Sequence, residues 1–449
     1  MNLAETSSPQ SSLHLPDLAQ ACLDIAKRKG ATAADVEVST SIGLNVTVRL
    51  GEVETIEHNR DKGLGVTVYL GQKRGNASTT DMSPAAIERA VDAALAIAKF
   101  TAEDPCAGLA DPRRHAKPPF PDCSVFHPWR LTTEDAIAMG QAIERAGMAV
   151  DKRINNSEGA SVSMSESDFV YANSNGFVGG YPTTRHSASC TLIASSKNGM
   201  QRDYWYSVAR AQGDLESAES LGRRAGQRTV ARLDSKRMPT GDYPVLFEAP
   251  IASGLIGALV NAVSGTALYR KASFLLDSLN TQVAAPCLNV IEDPFLSRGL
   301  ASGPFDAEGV TTVKRDWVKG GVLKGYFLGS YSARKLGLSS TGNAGGNHNL
   351  IVQSTGEDFA ALLKKMGRGL LVTELLGQGV NGVTGDYSRG AAGFWVEGGE
   401  IQYPVEEITI AGNMKDMLKG IVAIGNDALM QGSKITGSIL IDRMSVAGE

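Results

Sequence analysis

The chain predicts an α+β fold, with an N-terminal antiparallel sheet and covering helices followed by a strand-rich C-terminal domain. Runs that alternate apolar and polar residues with period two dominate the sequence, and no regular strand–helix–strand succession is visible. The region after residue 239 is rich in glycine and in short alternating runs. The first observation gives strands with one wet face, and the second argues against a parallel sheet wound by helices.

Taken in order, residues 15–29 carry Leu18, Ala21, Cys22, Ile25 and Ala26 at helical spacing, and Gly30 ends the run. Runs 36–40, 44–49, 53–57 and 64–69 then alternate as strands, and residues 71–75 turn the chain. Asp81-Met82-Ser83-Pro84 starts a second helix, with proline in its first turn, through the alanine-rich 85–98 to cover that sheet. Pro105, Pro112, Pro118, Pro119, Pro121 and Pro128 crowd the next segment, which marks a domain connection or an extended surface segment. A Thr-capped helix at 133–151 follows, with Glu and Asp in its first turn, and then strands up to 210, including 169–172 and 187–193. A helix at 218–233 precedes the strand 241–247, and further helices are expected at 251–265 and 357–366. The resulting division is 15–105, 106–238 and 239–449.

With 449 residues, 42% hydrophobic and 20% charged, the chain can build two or three domains with sizeable cores. A net charge of −4 with dispersed Lys and Arg offers no footprint for a phosphate backbone, so nucleic acid is not an expected partner. Cys22, Cys106, Cys123, Cys190 and Cys287 form no C-x-x-C pair and suit reduced, mostly buried thiols. Residues 1–16 are polar, with neither the charged start nor the apolar run of a leader or membrane span. A cytoplasmic location is expected.

The most informative stretch is 384–405, followed by 408–413. Gly398-Gly399 separates Phe394-Trp395-Val396-Glu397 from Glu400-Ile401-Gln402-Tyr403, so a two-residue turn with positive φ closes a hairpin. The glycines from Gly385 to Gly393 mark irregular backbone around Asp386-Tyr387-Ser388-Arg389, where main chain can approach another surface closely.

These segments, together with 64–69, 78–84, 269–279 and 330–338, resemble the TldD/PmbA (TldE) family of bacterial peptidases and peptidase partners. The likeness covers about 35–448 and is closest to the PmbA branch. In the TldD branch a His-Glu-x-x-x-His helix segment and a later Cys hold zinc, and the glutamate serves as general base. Here the six histidines (14, 58, 115, 127, 186 and 348) are too widely spaced for that motif. Measured from the Tyr269-Arg270 landmark, the motif falls on 257–262, with Gly257, Ala258 and Ala262 where His, Glu and His would stand. Residues 433–438, near the place of the later Cys, offer no thiol. The resemblance therefore implies no metal, cofactor or catalytic residue on this chain and zinc on a TldD-type partner. It also implies unfolded peptides as substrates, in peptide-antibiotic leader removal and small-protein degradation.

Candidate peptide-binding residues are Asn343 and His348, in a loop lacking the Gly-Lys-Ser/Thr ending of a P-loop, and Asp386, Tyr387, Ser388 and Arg389. Each segment reads equally as plain loop or turn. Ser388 has neither a Gly-x-Ser-x-Gly setting nor a base in the sequence to activate it. Thr183 to His186 read as the start of a strand, and Glu406-Glu407 as strand neighbours facing opposite sides. Two other readings stay open: a noncatalytic homodimeric binding or scaffold protein, and a peptidase with an unrecognised site, using a serine nucleophile or His127, His186 and His348.

Overall fold

The computed structural model describes residues 14–448; the reading of 1–16 as free of a leader falls mostly on 1–13, outside the described residues. Helix α1 (Leu15–Arg28) buries Ala19, Cys22, Leu23 and Ala26, the face its spacing predicts. Two long strands replace the four short ones expected: β1 (Ala33–Arg49) and β2 (Glu52–Leu70). Gly43 does not interrupt β1, because it keeps its register between Asn59 and Ser165. The polar residues 58–62 likewise stay extended because β1 pairs with β2 over its whole length. Strand β3 (Lys73–Thr79) leads into α2 (Pro84–Phe100), whose N-cap Ser83 accepts from Ala86 N at 3.4 Å.

The proline-rich segment runs over the surface, with Pro105, Pro112, Pro118, Pro119, Pro121 and Pro128 all exposed. It is largely irregular, and it buries Ala110, Ala116, Cys123, Val125 and Trp129. Next come α3 (Thr133–Met148), capped by Thr132, and the strands β4 (Ile154–Asn173), β5 (Val178–Gly180), β6 (Thr183–Ser196) and β7 (Gly199–Ala209). Helix α4 (Ala218–Ala231) lies on α3, and a Cβ on Gly222 would stand only 2.0 Å from Ile143 O, so glycine is required at that crossing. Among the described residues, these strands form one sheet of order β3-β2-β1-β4-β6-β7, with β5 on β4.

The even-numbered face of β1 is the covered one. Val36 and Val38 pack with α1 and α2 at one end, and Leu44, Val46 and Val48 pack with α3 and α4 at the other. A bulge at Thr47/Val48 places Val53 and Ile56 of β2 opposite Val48 and Val46, yet both stay exposed. Beyond β3, which reaches only Leu64, no described strand pairs with the outer edge of β2 over 52–63.

Residues from 241 onward supply two more sheets and a large shared core. The elements are β8 (Gly241–Phe247), α5 (Ala249–Ala262), α6 (Gly265–Tyr269), β9 (Val290–Asp293), β10 (Arg315–Lys319), β11 (Val322–Leu323), α7 (Ser330–Lys335), β12 (Asn349–Val352) and α8 (Phe359–Met366). Then follow β13 (Gly369–Leu376), β14 (Asp386–Glu397), β15 (Glu400–Asn413), α9 (Met414–Lys419), β16 (Ile421–Ile424), β17 (Lys434–Ile435) and β18 (Ile439–Ala447). One sheet runs β11-β10-β9-β12-β17 and the other β15-β14-β13-β8-β18-β16. Phe247, Ile256, Leu259 and Trp317 are fully buried in their common core. No helix among the described residues is long and apolar enough to cross a membrane.

The hairpin turn at Gly398 (φ 63°) and Gly399 (φ 78°) is as expected. The irregular backbone expected from Gly385 to Gly393 is not: apart from Gly385 (φ 85°) and a bulge between Ala391 and Gly393, this stretch is the regular strand β14. Its glycines serve close approach, since a Cβ on Gly393 would stand 1.8 Å from Leu371 O of β13.

Candidate functional site

The odd-numbered, wet face of β1 is the wall of a trough. Asp35, Glu37 and Ser39 line a cavity of about 800 Å³ with Gly65 and Thr67 of β2 and Tyr171 of β4, closed on the far side by Ala307. Asp35, Tyr171 and Ala307 also line a second cavity of about 500 Å³, which reaches Glu308 and Tyr331. Those two residues belong in turn to a third, of about 480 Å³, bounded by α5, the 343–347 loop and Lys434. Lys434 lines a fourth, of about 250 Å³, beside Tyr206 and Gln431. Strand alternation thus places a polar face opposite loops from the far end of the chain.

The trough is electrostatically uneven. Burial pushes the Asp35 carboxyl up to about 6, with Glu308 adding to the rise, while a Thr67 hydrogen bond and the Arg74 guanidinium pull it down. Asp306, next to Ala307 in the chain, is also pushed up to about 6 by burial, although the N–H groups of Ala344, Glu308 and Val310 each donate to it at 2.9 Å. At the other end, burial lowers the Lys434 ammonium, whose hydrogen-bond partner is Ser433 Oγ at 3.4 Å.

Of the candidates read from sequence, Asn343 reaches the trough but is committed to the fold. Its Nδ2 donates to buried Glu292 Oε1 at 2.7 Å and to Gly346 O. Its Oδ1 accepts from Arg315 Nη2 at 3.1 Å and Thr341 Oγ1 at 2.7 Å. His348 lies with Nδ1 3.2 Å from Ala301 O and Nε2 3.1 Å from Gly342 O, so both ring nitrogens face backbone carbonyls. Beside Asn343, the loop presents Ala344, Gly345, Gly346 and Asn347 to the cavity.

Asp386 to Arg389 line none of these four cavities. Asp386 accepts from Thr384 Oγ1 at 2.6 Å and Asn413 Nδ2 at 3.1 Å; Tyr387 is buried; the Ser388 N–H donates to Gly379 O; and Arg389 donates to Gly377 O. These residues brace the 377–385 loop against β14.

His186 is fully buried in β6, with Nε2 2.9 Å from His127 O, and burial lowers its pKa. Among the described residues, no group of three or more His, Cys, Asp and Glu is placed to hold a metal ion. The missed features are the wet-face residues Asp35 and Gly65 and the cation Lys434. Alternation pointed to the first two, and no local signal marked the third.

Three consecutive segments match the PmbA/TldA metallopeptidase family: domain 1 over residues 34–98, the central domain over 126–233 and the C-terminal domain over 240–448. Metalloprotease PmbA of Escherichia coli O157:H7 is 48% identical over 435 residues, covering 97% of this chain and 96% of that protein. The chain belongs to the PmbA/TldD metallopeptidase family. Within it, the chain stands on the PmbA branch. A solved structure from Bacteroides thetaiotaomicron, described as a proposed modulator of DNA gyrase, superposes with a TM-score of 0.90 at 28% identity, covering 96% of this chain and 98% of that one. TldE of Thermococcus kodakarensis shares the fold, with a TM-score of 0.84 at 19% identity, 96% of this chain and all of that one.

A zinc site of the TldD kind does not fit the residues present. Gly257, Ala258 and Ala262 all lie on α5; Ala262 is buried in the core and Ala258 packs against it. The structure does bring Gly257 together with the 433–438 stretch, but the meeting side chain is Lys434, an ammonium beside a residue with no donor atom.

Proposed function

We propose that this chain is the metal-free subunit of a heteromeric metalloprotease, pairing with a TldD-type chain that supplies zinc, and that its trough holds unfolded peptides. The observation that carries this reading is the placement of Lys434 opposite Gly257, because a fixed cation disfavours a metal ion where the TldD branch has its ligands. The polar wall on β1 and β2 and the glycine loop at 345–346 suit an extended peptide held through its main chain, which makes recognition sequence-tolerant. Substrates of this kind are peptide-antibiotic precursors and small unfolded proteins.

For the partner surface, the open outer edge of β2 over 52–63, with Val53 and Ile56 exposed beside it, offers backbone groups and apolar side chains to a second chain. Thiols held protonated by burial, with Cys22 and Cys190 pushed up to about 12, fit a reducing cytoplasm. The test is metal content and cleavage of an unfolded peptide by this chain, by a TldD-type chain, and by their mixture. Cleavage that needs both, with zinc on the partner, supports the subunit reading; cleavage by this chain alone with stoichiometric metal overturns it.

A further inference from the structure

Lys434 is an unusual cation for its place. It lies on the two-residue strand β17, paired in parallel with β12, and its stem faces α5 at Gly257. Its hydrogen-bond partner, Ser433 Oγ, is a long 3.4 Å away, and among the described residues no carboxylate lies within ion-pair distance. Burial acts on it unopposed by any nearby charge. A half-buried ammonium without a counter-charge is costly, and the cost is relieved when an anion binds.

The space beside it fits such an anion. Cavities of about 480 Å³ and 250 Å³ meet at Lys434, and the larger is within the range that holds a small ligand. Asn261, Ser264, Thr266 and Asn347 line the same cavity, with Ser264 Oγ engaged in the cap of α6 and Asn347 Nδ2 donating to His348 O, and the backbone at Gly346 is open, with nothing within 4 Å of a would-be Cβ. Glu308 also lines this cavity, a carboxylate whose Oε2 is held by Ser330 N at 2.8 Å, so a bound anion must sit on the Lys434 side of it. The trough leads to Lys434 from the sheet end, so a chain lying along it would bring one terminus there.

We propose that Lys434 and the cavity floor beside it form a receptor for the C-terminal carboxylate of a bound peptide. Resting on the reading of this chain as a peptide-holding subunit, the assignment explains how recognition stays independent of sequence: every unmodified peptide has that carboxylate. A charge-assisted bond from an ammonium to a carboxylate is stronger than one to a neutral amide.

The test is binding of N-acetyl-trialanine to the full chain by calorimetry, against the same peptide amidated at its C-terminus and an amidated peptide with an internal aspartate. The acid is expected to bind about tenfold more tightly than either amide. Lys434→Met, which keeps the stem and removes the uncompensated charge, is expected to abolish that preference and to hold or raise the melting temperature. Equal binding of acid and amide, equal binding of the internal aspartate, or a preference that survives in K434M overturns the proposal. Should K434M fail to fold, acetylation of Lys434 in the wild-type chain decides: slowing by the acid alone supports the receptor, and no slowing overturns it. Cleavage by the mixture of subunits without any acid preference here would remove the receptor and leave the subunit reading intact.

Discussion

Gly257 and Lys434 face each other across the joint between α5 and β17: a Cβ on Gly257 would stand 3.5 Å from Lys434 Cε and 3.9 Å from its Cδ. Both are ordinary van der Waals distances, so a methyl fits. Replacing a helix-interior glycine by alanine contributes about 0.5–1 kcal/mol. Gly257→Ala is expected to raise the melting temperature by about 2 °C, read by calorimetry, whereas Gly257→Leu is expected to lower it by forcing Lys434 aside. A loss of stability in G257A would show that the joint has no room.

Asp35 makes stability depend on pH. Its folded value of about 6 lies above the ordinary 3.8, so the folded state binds the proton more tightly. That contribution is fully present below the unfolded value and is lost as pH rises through about 6. Asparagine at this position carries no charge to bury. Asp35→Asn is expected to gain roughly 1–2 kcal/mol over wild type as pH goes from acid to neutral, measured by urea unfolding across that range. A constant difference between the two proteins would refute the assignment.

The buried Glu292–Arg315 pair, Oε2 to Nε at 2.7 Å, fixes the loop that forms one wall of the trough, because Arg315 also donates to Asn343. Removing the guanidinium leaves Glu292 buried without a counter-charge, held only by the neutral donors Asn343 Nδ2 and His348 N. Arg315→Met is expected to cost about 3 kcal/mol, and hydrogen exchange of the amides at 342–348 is expected to quicken more than that of β14. Uniform quickening would mean that the pair serves global stability alone.

How much of this was legible in the sequence can be judged from particular residues. The proline in the first turn of α2, the Thr cap of α3, the wet and covered faces of β1 and the turn at Gly398-Gly399 all follow from local chemistry, and the structure shows each. The joining of short runs into β1 and β2 was not legible, because polar residues such as Asn59 and Asp61 stay extended only through pairing with β1. The trough was hidden for a similar reason. Asp35 meets Glu308 and Ala307 across most of the chain, and Lys434 meets Gly257 across an intervening domain core, contacts that no window of sequence contains. The glycines around Asp386 to Arg389 suggested irregular backbone that approaches another surface closely; the close approach is there, but it is made by a regular strand to the backbone of its neighbour β13.

The open edge of β2 can be closed to partners without touching the core. Val53 and Ile56 are 43% and 45% exposed, and lysine is the residue natural sheets use to guard such edges. The double variant Val53→Lys, Ile56→Lys is expected to change folding stability by no more than about 0.5 kcal/mol per site. Its affinity for the TldD-type chain is expected to fall at least about tenfold, the effect of adding charges to an apolar contact. Size-exclusion chromatography of the mixture reads this, and an unchanged complex would place the interface elsewhere.

Gly65 tests whether the trough carries peptide. It faces the cavity of about 800 Å³ opposite Glu37 in β1, and a Cβ there meets nothing within 4 Å. Its φ lies outside the left-handed region, so a larger residue brings no backbone strain, and glycine within a strand is itself slightly destabilising. Gly65→Leu is therefore expected to fold with equal or higher stability while its side chain fills space that a bound peptide needs. In the mixture with a TldD-type chain, KM for an unfolded peptide is expected to rise several-fold with kcat little changed, the mark of lost ground-state binding. If KM stays at the wild-type value while the melting temperature also holds, peptide does not pass over this part of the sheet, and the wet face of β1 has another role.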